Sequence, residues 1–201
     1  MKQQVLIIHG GTTFSSYKKY IDSMKAVVLE PKKLKSRLDW KDSITADLGD
    51  AYEVLVPRMP NGSNAQYKEW SIWFEHIVPL LKNDTILVGN SLGGTFLAKC
   101  LSEKIVPIKI KAAILISAQY EELESEELAS FALSESLSKF NKQAKNIVLI
   151  HSKDDEAVPF DHVYKYNKDL SNSNIILFND KGHFKQEHFP ELVELIKNTV
   201  G

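Results

Sequence analysis

Ser91 is the residue whose surroundings most directly suggest chemistry. It stands in Gly89-Asn90-Ser91-Leu92-Gly93, followed by Gly94, and so fits the pattern G-x-S-x-G. The five residues follow an apolar, β-branched run at 85–88 and precede an Ala/Leu/Lys-type helical stretch. A strand, a sharp turn and a helix in that order hold a serine hydroxyl out of the sheet. Small residues are needed two positions either side, where bulk would collide with the turn. The helix N-terminus adds free N–H groups and a partial positive charge where an oxyanion would form. The competing reading is a glycine-rich turn of a nucleotide-binding fold. Neither G-x-G-x-x-G nor G-x-x-x-x-G-K-[ST] accompanies the first strand, which weakens it.

A serine nucleophile needs a base and an acid, and in this setting they follow it in the order acid, then histidine. A strand-like run at 147–151 leads into Ser152-Lys153-Asp154-Asp155-Glu156-Ala157-Val158-Pro159. The last such run, at 175–178, leads into Asn179-Asp180-Lys181-Gly182-His183-Phe184. The expected set is therefore Ser91 as nucleophile, His183 as general base and Asp155 as the acid that orients His183. Asp154 is the alternative acid, and Asp180 reads as a surface residue. The oxyanion hole is expected from two backbone N–H groups. One is that of Leu92, and the other comes from the His9-Gly10-Gly11-Thr12 loop, with Gly11 first and Thr12 next.

The remaining candidates read as structural. His9 and His151 end strands, while His76, His162 and His188 are expected on helices as surface or packing residues. Trp70 and Trp73 read as packing residues, with a place beside the substrate as the alternative. Cys100 reads as a small buried hydrophobe. No H-E-x-x-H or related spacing occurs, so no metal and no cofactor are expected.

Short apolar runs at 5–9, 52–56, 85–90, 112–117, 147–151 and 175–178 read as buried strands. Helical spacing occupies 64–81, 94–104, 126–140 and 187–199. The alternation predicts an α/β fold of three layers, α/β/α, with about six mostly parallel strands in one domain over residues 1–201. Residues 12–49 form a long helical excursion between the first two strands, with one helix over 17–29 and one or two over 33–48, split by Pro31. The basic run Lys32, Lys33, Lys35, Arg37 within it reads as a solvated face, as does the acidic cluster at 121–127.

The bulk numbers narrow the partners. The chain has 201 residues, 43% apolar and 25% charged, with a formal net charge of −1. That balance argues against a nucleic-acid footprint or an anionic membrane partner. No stretch approaches the length of a membrane span, and the lone Cys100 permits no internal disulfide. The expectation is a cytoplasmic protein acting on a small-molecule acyl substrate. The oligomeric state is not legible.

With these residues placed, the sequence resembles the small serine hydrolases grouped around retinoblastoma-binding protein nine, in the α/β-hydrolase superfamily. The resemblance runs through His9-Gly10-Gly11, Met59-Pro60-Asn61, the segment 65–70, the elbow at 89–93, the acid loop at 151–160 and Gly182-His183-Phe184. It implies a compact core without the first two strands of the full fold and without a large separate lid domain. It also implies a triad of Ser91, Asp155 and His183, and hydrolysis of a carboxylic ester, thioester or amide. An acyltransferase on the same triad and a non-catalytic interaction module are the alternatives. The 12–49 excursion is longer than the family's usual connection and is placed to cover the site. The chain contains no L-x-C-x-E sequence, so a retinoblastoma-type partner is not implied.

Overall fold

The computed structural model describes residues 2–124 and 127–200, the side chains at 32, 33 and 200 excepted. Six strands form one sheet: β1 (Gln3–Ile8), β2 (Tyr52–Leu55), β3 (Thr85–Asn90), β4 (Ile110–Ile116), β5 (Ala144–Ser152) and β6 (Ser173–Phe178). All pairings are parallel, in the order β2-β1-β3-β4-β5-β6. Parallel neighbours need crossovers. These carry helices α1 (Tyr17–Ala26), α2 (Trp40–Leu48), α3 (Tyr67–Ile77), α4 (Leu92–Glu103), α5 (Ser138–Gln143) and α6 (His162–Asp169), and α7 (Pro190–Val200) closes the chain.

Strand side chains alternate between the two faces, and the core divides accordingly. Leu6, Ile8, Leu87, Leu115 and Leu149 face a layer built from α3, α4 and α6, with Trp70, Phe74, Phe96 and Tyr166. Val5, Ile7, Val88, Ile114 and Ile150 face α2 and α7, with Trp40, Ile44, Leu192 and Ile196. The central β3 is buried at every position, which accounts for its unbroken apolar run. Chain direction across the sheet reverses at β1: β2 lies on one side of it and β3 on the other. Such a switch point opens a crevice outside the strand C-termini, where ligands of open α/β sheets bind.

Three local expectations are corrected. The helix expected over 126–140 is a short 3₁₀ turn at Ala129–Phe131 followed by the six-residue α5. Its first expected residue, Glu126, lies outside the described residues. Side chains there take over the backbone groups a helix would have paired: Glu122 accepts from Leu128 N–H at 2.9 Å, and Lys99 donates to Ala132 O at 2.6 Å. The helix expected over 17–29 ends at Ala26, with Val27 already extended, as β-branched residues shortly before Pro31 favour. α6 is foreshadowed only by the expectation that His162 lies on a helix. It buries only His162, Val163 and Tyr166, a stripe too narrow to read as periodic. Of the surface and packing roles expected for His162 it takes the packing one: it is buried, and its Nδ1 accepts from Tyr120 N–H at 3.0 Å. His188 precedes α7 instead of lying on a helix, and its ring is bonded to Asp47 at 3.0 Å.

Cys100 is buried on the inner face of α4. Burial pushes its thiol up to about 12, which leaves almost no thiolate near neutrality. Reaction with a disulfide reagent in native buffer is therefore expected to be very slow. In denaturant it should accelerate by orders of magnitude, readable as released chromophore against time.

Candidate active site

The elbow forms as its glycines require. Ser91 occupies a left-handed backbone position, φ 53° and ψ −125°, between β3 and α4. Its N–H donates to Ile116 O at 2.7 Å, which locks the turn against the end of β4. A methyl group on Gly89 would lie 2.6 Å from Gly93 O, and one on Gly93 would run into Ile8 O and His9 O. The two glycines are where β3, α4 and the end of β1 meet backbone to backbone.

The Ser91 hydroxyl lies 2.9 Å from His183 Nε2. His183 Nδ1 lies 3.0 and 2.9 Å from the two oxygens of Asp155. An ionised carboxylate only accepts, so Nδ1 carries the proton and Nε2 is left as acceptor for Ser91. Asp155 is fully enclosed. Its Oδ1 also accepts from Ala157 N–H at 2.9 Å and Val158 N–H at 3.1 Å, and its Oδ2 from Ser117 Oγ at 2.7 Å. His151 Nε2 lies 2.9 Å from Val158 O and 3.5 Å from Asp155 Oδ2, so its N–H points between the two. Burial opposes the charge on Asp155. The His151 and His183 rings and the Ser117 hydroxyl outweigh it and hold the carboxyl well below the usual carboxylate range.

Asp154 has a different position from its neighbour. Its Oδ1 accepts from Ser152 Oγ at 2.5 Å and Gly182 N–H at 2.9 Å, while Ser152 Oγ accepts from Lys181 N–H at 3.0 Å. These bonds tie the acid loop to the turn that carries His183. Below that turn Phe184 is buried, and its carbonyl accepts from Trp40 Nε1 at 3.1 Å. Asp180 is exposed, as expected.

The loop after β1 faces Ser91. Thr12 N–H is engaged by Gly62 O at 2.9 Å, whereas Gly11 N–H has no acceptor among the described residues. Leu92 N–H opens α4 and has no intrahelical partner either. His9 accepts from Met59 N–H at Nε2 (2.8 Å) and donates from Nδ1 to Gly10 O (2.5 Å), so its ring is spent on holding the loop. Trp70 is buried beneath the same loop, its Nε1 donating to Pro60 O at 2.7 Å, while Trp73 is half exposed and away from it.

A cleft of about 460 Å³ opens over Ser91 and His183. One wall is the β1 loop from His9 to Thr12. The other includes Asp39 and Lys41 from the start of α2, with Ala157 and Lys185 at the rim. The 12–49 excursion thus contributes both its ends to the cleft. Asn90 also lines it, and its buried Oδ1 has no hydrogen-bond partner. Among the described residues no group of three or more His, Cys, Asp or Glu is placed to hold a metal ion.

Ser117, His151, Asn90, Asp39 and Lys41 were not singled out from sequence as part of the site. Ser117 carries one signal: it stands just past the end of the strand next to β3. Asn90 is next to Ser91 within the elbow and His151 stands four residues before Asp155, while Asp39 and Lys41 depend on contacts between distant segments.

The profile of the family described as serine hydrolase matches residues 35–196. A comparison with curated proteins returns no match. Among solved structures, the ydeN gene product from B. subtilis superposes with a TM-score of 0.73 at 20% identity, covering 99% of both chains. Est1E from Butyrivibrio proteoclasticus gives 0.64 at 17% identity, over 99% of this chain and 88% of that one. The meta-cleavage product hydrolase CumD from Pseudomonas fluorescens gives 0.66 at 15% identity, over 100% and 91%. At these identities the likeness speaks to the fold, while the family match carries the assignment: this chain belongs to the serine hydrolase family and has a single-domain α/β-hydrolase fold.

Proposed function

We propose that this chain hydrolyses small carboxylic esters, or the corresponding thioesters or amides, through an acyl-enzyme on Ser91. The observation that carries the reading is the unbroken relay from Ser91 Oγ through His183 to the enclosed Asp155, at the switch point of the sheet. Ser91 Oγ attacks the acyl carbon as its proton passes to His183 Nε2. Asp155 stabilises the imidazolium and keeps its orientation. The oxyanion is held by the N–H groups of Gly11 and Leu92, both without another acceptor; Thr12, the other candidate, is already committed to Gly62. Collapse expels the alcohol, which takes the proton back from His183. Water, deprotonated by the same ring, then releases the carboxylic acid and restores Ser91.

The narrower kinship with the retinoblastoma-binding protein nine group belongs to the same proposal. What supports it is a six-stranded sheet that is parallel throughout, with the His9-Gly10-Gly11 loop at the end of β1 facing the elbow.

Labelling with a fluorophosphonate probe tests the nucleophile. Wild type is expected to be labelled in native buffer and Ser91→Ala to remain unlabelled. Equal labelling of both proteins, or of neither, would overturn the assignment.

A further inference from the structure

Residues 17–38 differ sharply from the rest of the chain. They hold seven of its 25 Lys and Arg residues and two of its 26 Asp and Glu, a charge of +5 against −6 for the remainder. They also hold seven of the fourteen exposed large apolar side chains among the described residues. Met24, Val28, Leu29, Leu34 and Leu38 are among these, each between 54% and 70% exposed. The local backbone explains the exposure. α1 buries none of its residues, and an extended stretch and a short 3₁₀ turn at Pro31–Leu34 follow it. No length of helix remains to carry these side chains onto the sheet.

The stretch is anchored at both ends. Lys19 pairs with Glu127, and Asp39, directly after the stretch, caps α2 and lines the catalytic cleft. Lys18 and Lys25 are paired with Asp22. Lys35 and Arg37 are exposed and bond to no described residue. Solvated charge alone does not account for aliphatic side chains placed between the basic ones.

We propose that residues 17–38 dock this protein on an anionic phospholipid surface. Lys and Arg meet the headgroups, and the interleaved Val, Leu and Met side chains enter the boundary of the acyl layer. A second copy of the chain is a poor occupant, because it would bring +5 against +5. Nucleic acid would use the charge and leave the aliphatic side chains in water. No helix among the described residues is long and apolar enough to cross a membrane, so the association is peripheral. Each basic residue at such a surface contributes about fivefold in partition, roughly 1 kcal/mol. The surface runs into the mouth of the cleft, which would place an ester held in the bilayer near Ser91. Docking itself does not depend on the catalytic proposal.

Co-sedimentation of the full chain with vesicles tests this, comparing phosphatidylglycerol mixed with phosphatidylcholine against phosphatidylcholine alone. The protein is expected to bind the anionic vesicles at least tenfold better, and added salt should weaken the binding. The charge-reversal pair K35E/R37E should lower partition at least tenfold. The pair V28S/L29S should also lower it with charge unchanged, and Ser91→Ala should bind as wild type does. Circular dichroism verifies that each variant is folded. Failure to bind anionic vesicles at low salt, equal binding to both compositions, or full binding by both paired variants would overturn the proposal. So would a dimer that V28S/L29S dissociates, or capture of duplex DNA, where vesicle binding is absent.

Discussion

Ser91→Ala is expected to lower kcat on a small p-nitrophenyl ester by a factor on the order of 10⁶. His183→Ala should cost about the same, and the double variant no more than either single one. The reason is that the two residues form one relay. In the proposed mechanism Ser91 Oγ is activated through its 2.9 Å contact with His183 Nε2, and His183 has no proton to take once that hydroxyl is gone. Losses that multiplied in the double variant would mean that the two side chains act independently. The residual rate, roughly 10³–10⁴ above water, should survive in all three, because Gly11 and Leu92 donate from the backbone. Alanine retains a Cβ at the strained position of residue 91, φ 53°, so the fold meets no new strain there. Thermal unfolding within a degree or two of wild type would attribute the loss to chemistry. Activity within tenfold of wild type in Ser91→Ala would place the nucleophile elsewhere.

The elements that bring these residues together were legible because they depend on local pattern. The buried strands announce themselves as short β-branched runs, and the elbow by two glycines whose spacing follows from backbone contact. Chain order then puts residues 91, 155 and 183 at successive strand ends. What supports them was not legible. Ser117 reaches Asp155 only because β4 and β5 are neighbours in register, with Ile116 opposite Ile150 and Ser117 N–H bonded to Ile150 O. Strand order is a property of the whole sheet, and no local run of residues encodes it. The same holds for Lys41 and Asp39, which reach the cleft from the far end of a 38-residue excursion over 12–49. The 126–140 segment misled for another reason. Its apolar residues Phe131, Leu137 and Phe140 do enter the core, but from a 3₁₀ turn, a loop and the short α5 in place of one continuous helix, with Glu122 and Lys99 taking up backbone groups between them. Apolar spacing reports which side chains are buried, and it implies helix only where the backbone has no better partner.

The excursion also bears on specificity. It forms a wall of the cleft through the first turn of α2, where Lys41 is paired with Asp39 at 2.7 Å. The family match begins at residue 35, so it takes in Asp39, Lys41 and α2 and leaves out residues 12–34 of the excursion and the His9–Thr12 wall.

Asp155→Asn is expected to lower kcat by about 10⁴ with little change in KM, whereas Asp154→Asn should cost less than about tenfold. Asparagine matches the shape of aspartate but has one accepting oxygen. If that oxygen faces Ala157 and Val158 N–H, the amide nitrogen is turned toward Ser117 and His183. Ser117 can accept, but His183 Nδ1–H cannot. With the amide nitrogen at the 2.9 Å position, the tautomer whose Nδ1 accepts and whose proton sits on Nε2 is favoured over the one left with the 3.0 Å contact to the oxygen, and in it the ring can no longer take the proton from Ser91. The opposite amide orientation sets two N–H donors against the amide nitrogen and costs stability as well. Asp154 makes no such demand, since Asn retains an oxygen for both Ser152 Oγ and Gly182 N–H. Truncation is different: Asp154→Ala removes both of these hydrogen bonds and frees the turn carrying His183. It should lower stability below that of Asp154→Asn, since the asparagine keeps both hydrogen bonds. Steady-state kinetics and denaturant unfolding on the three variants separate these effects. A larger loss in kcat for Asp154→Asn than for Asp155→Asn would transfer the acid's role to Asp154.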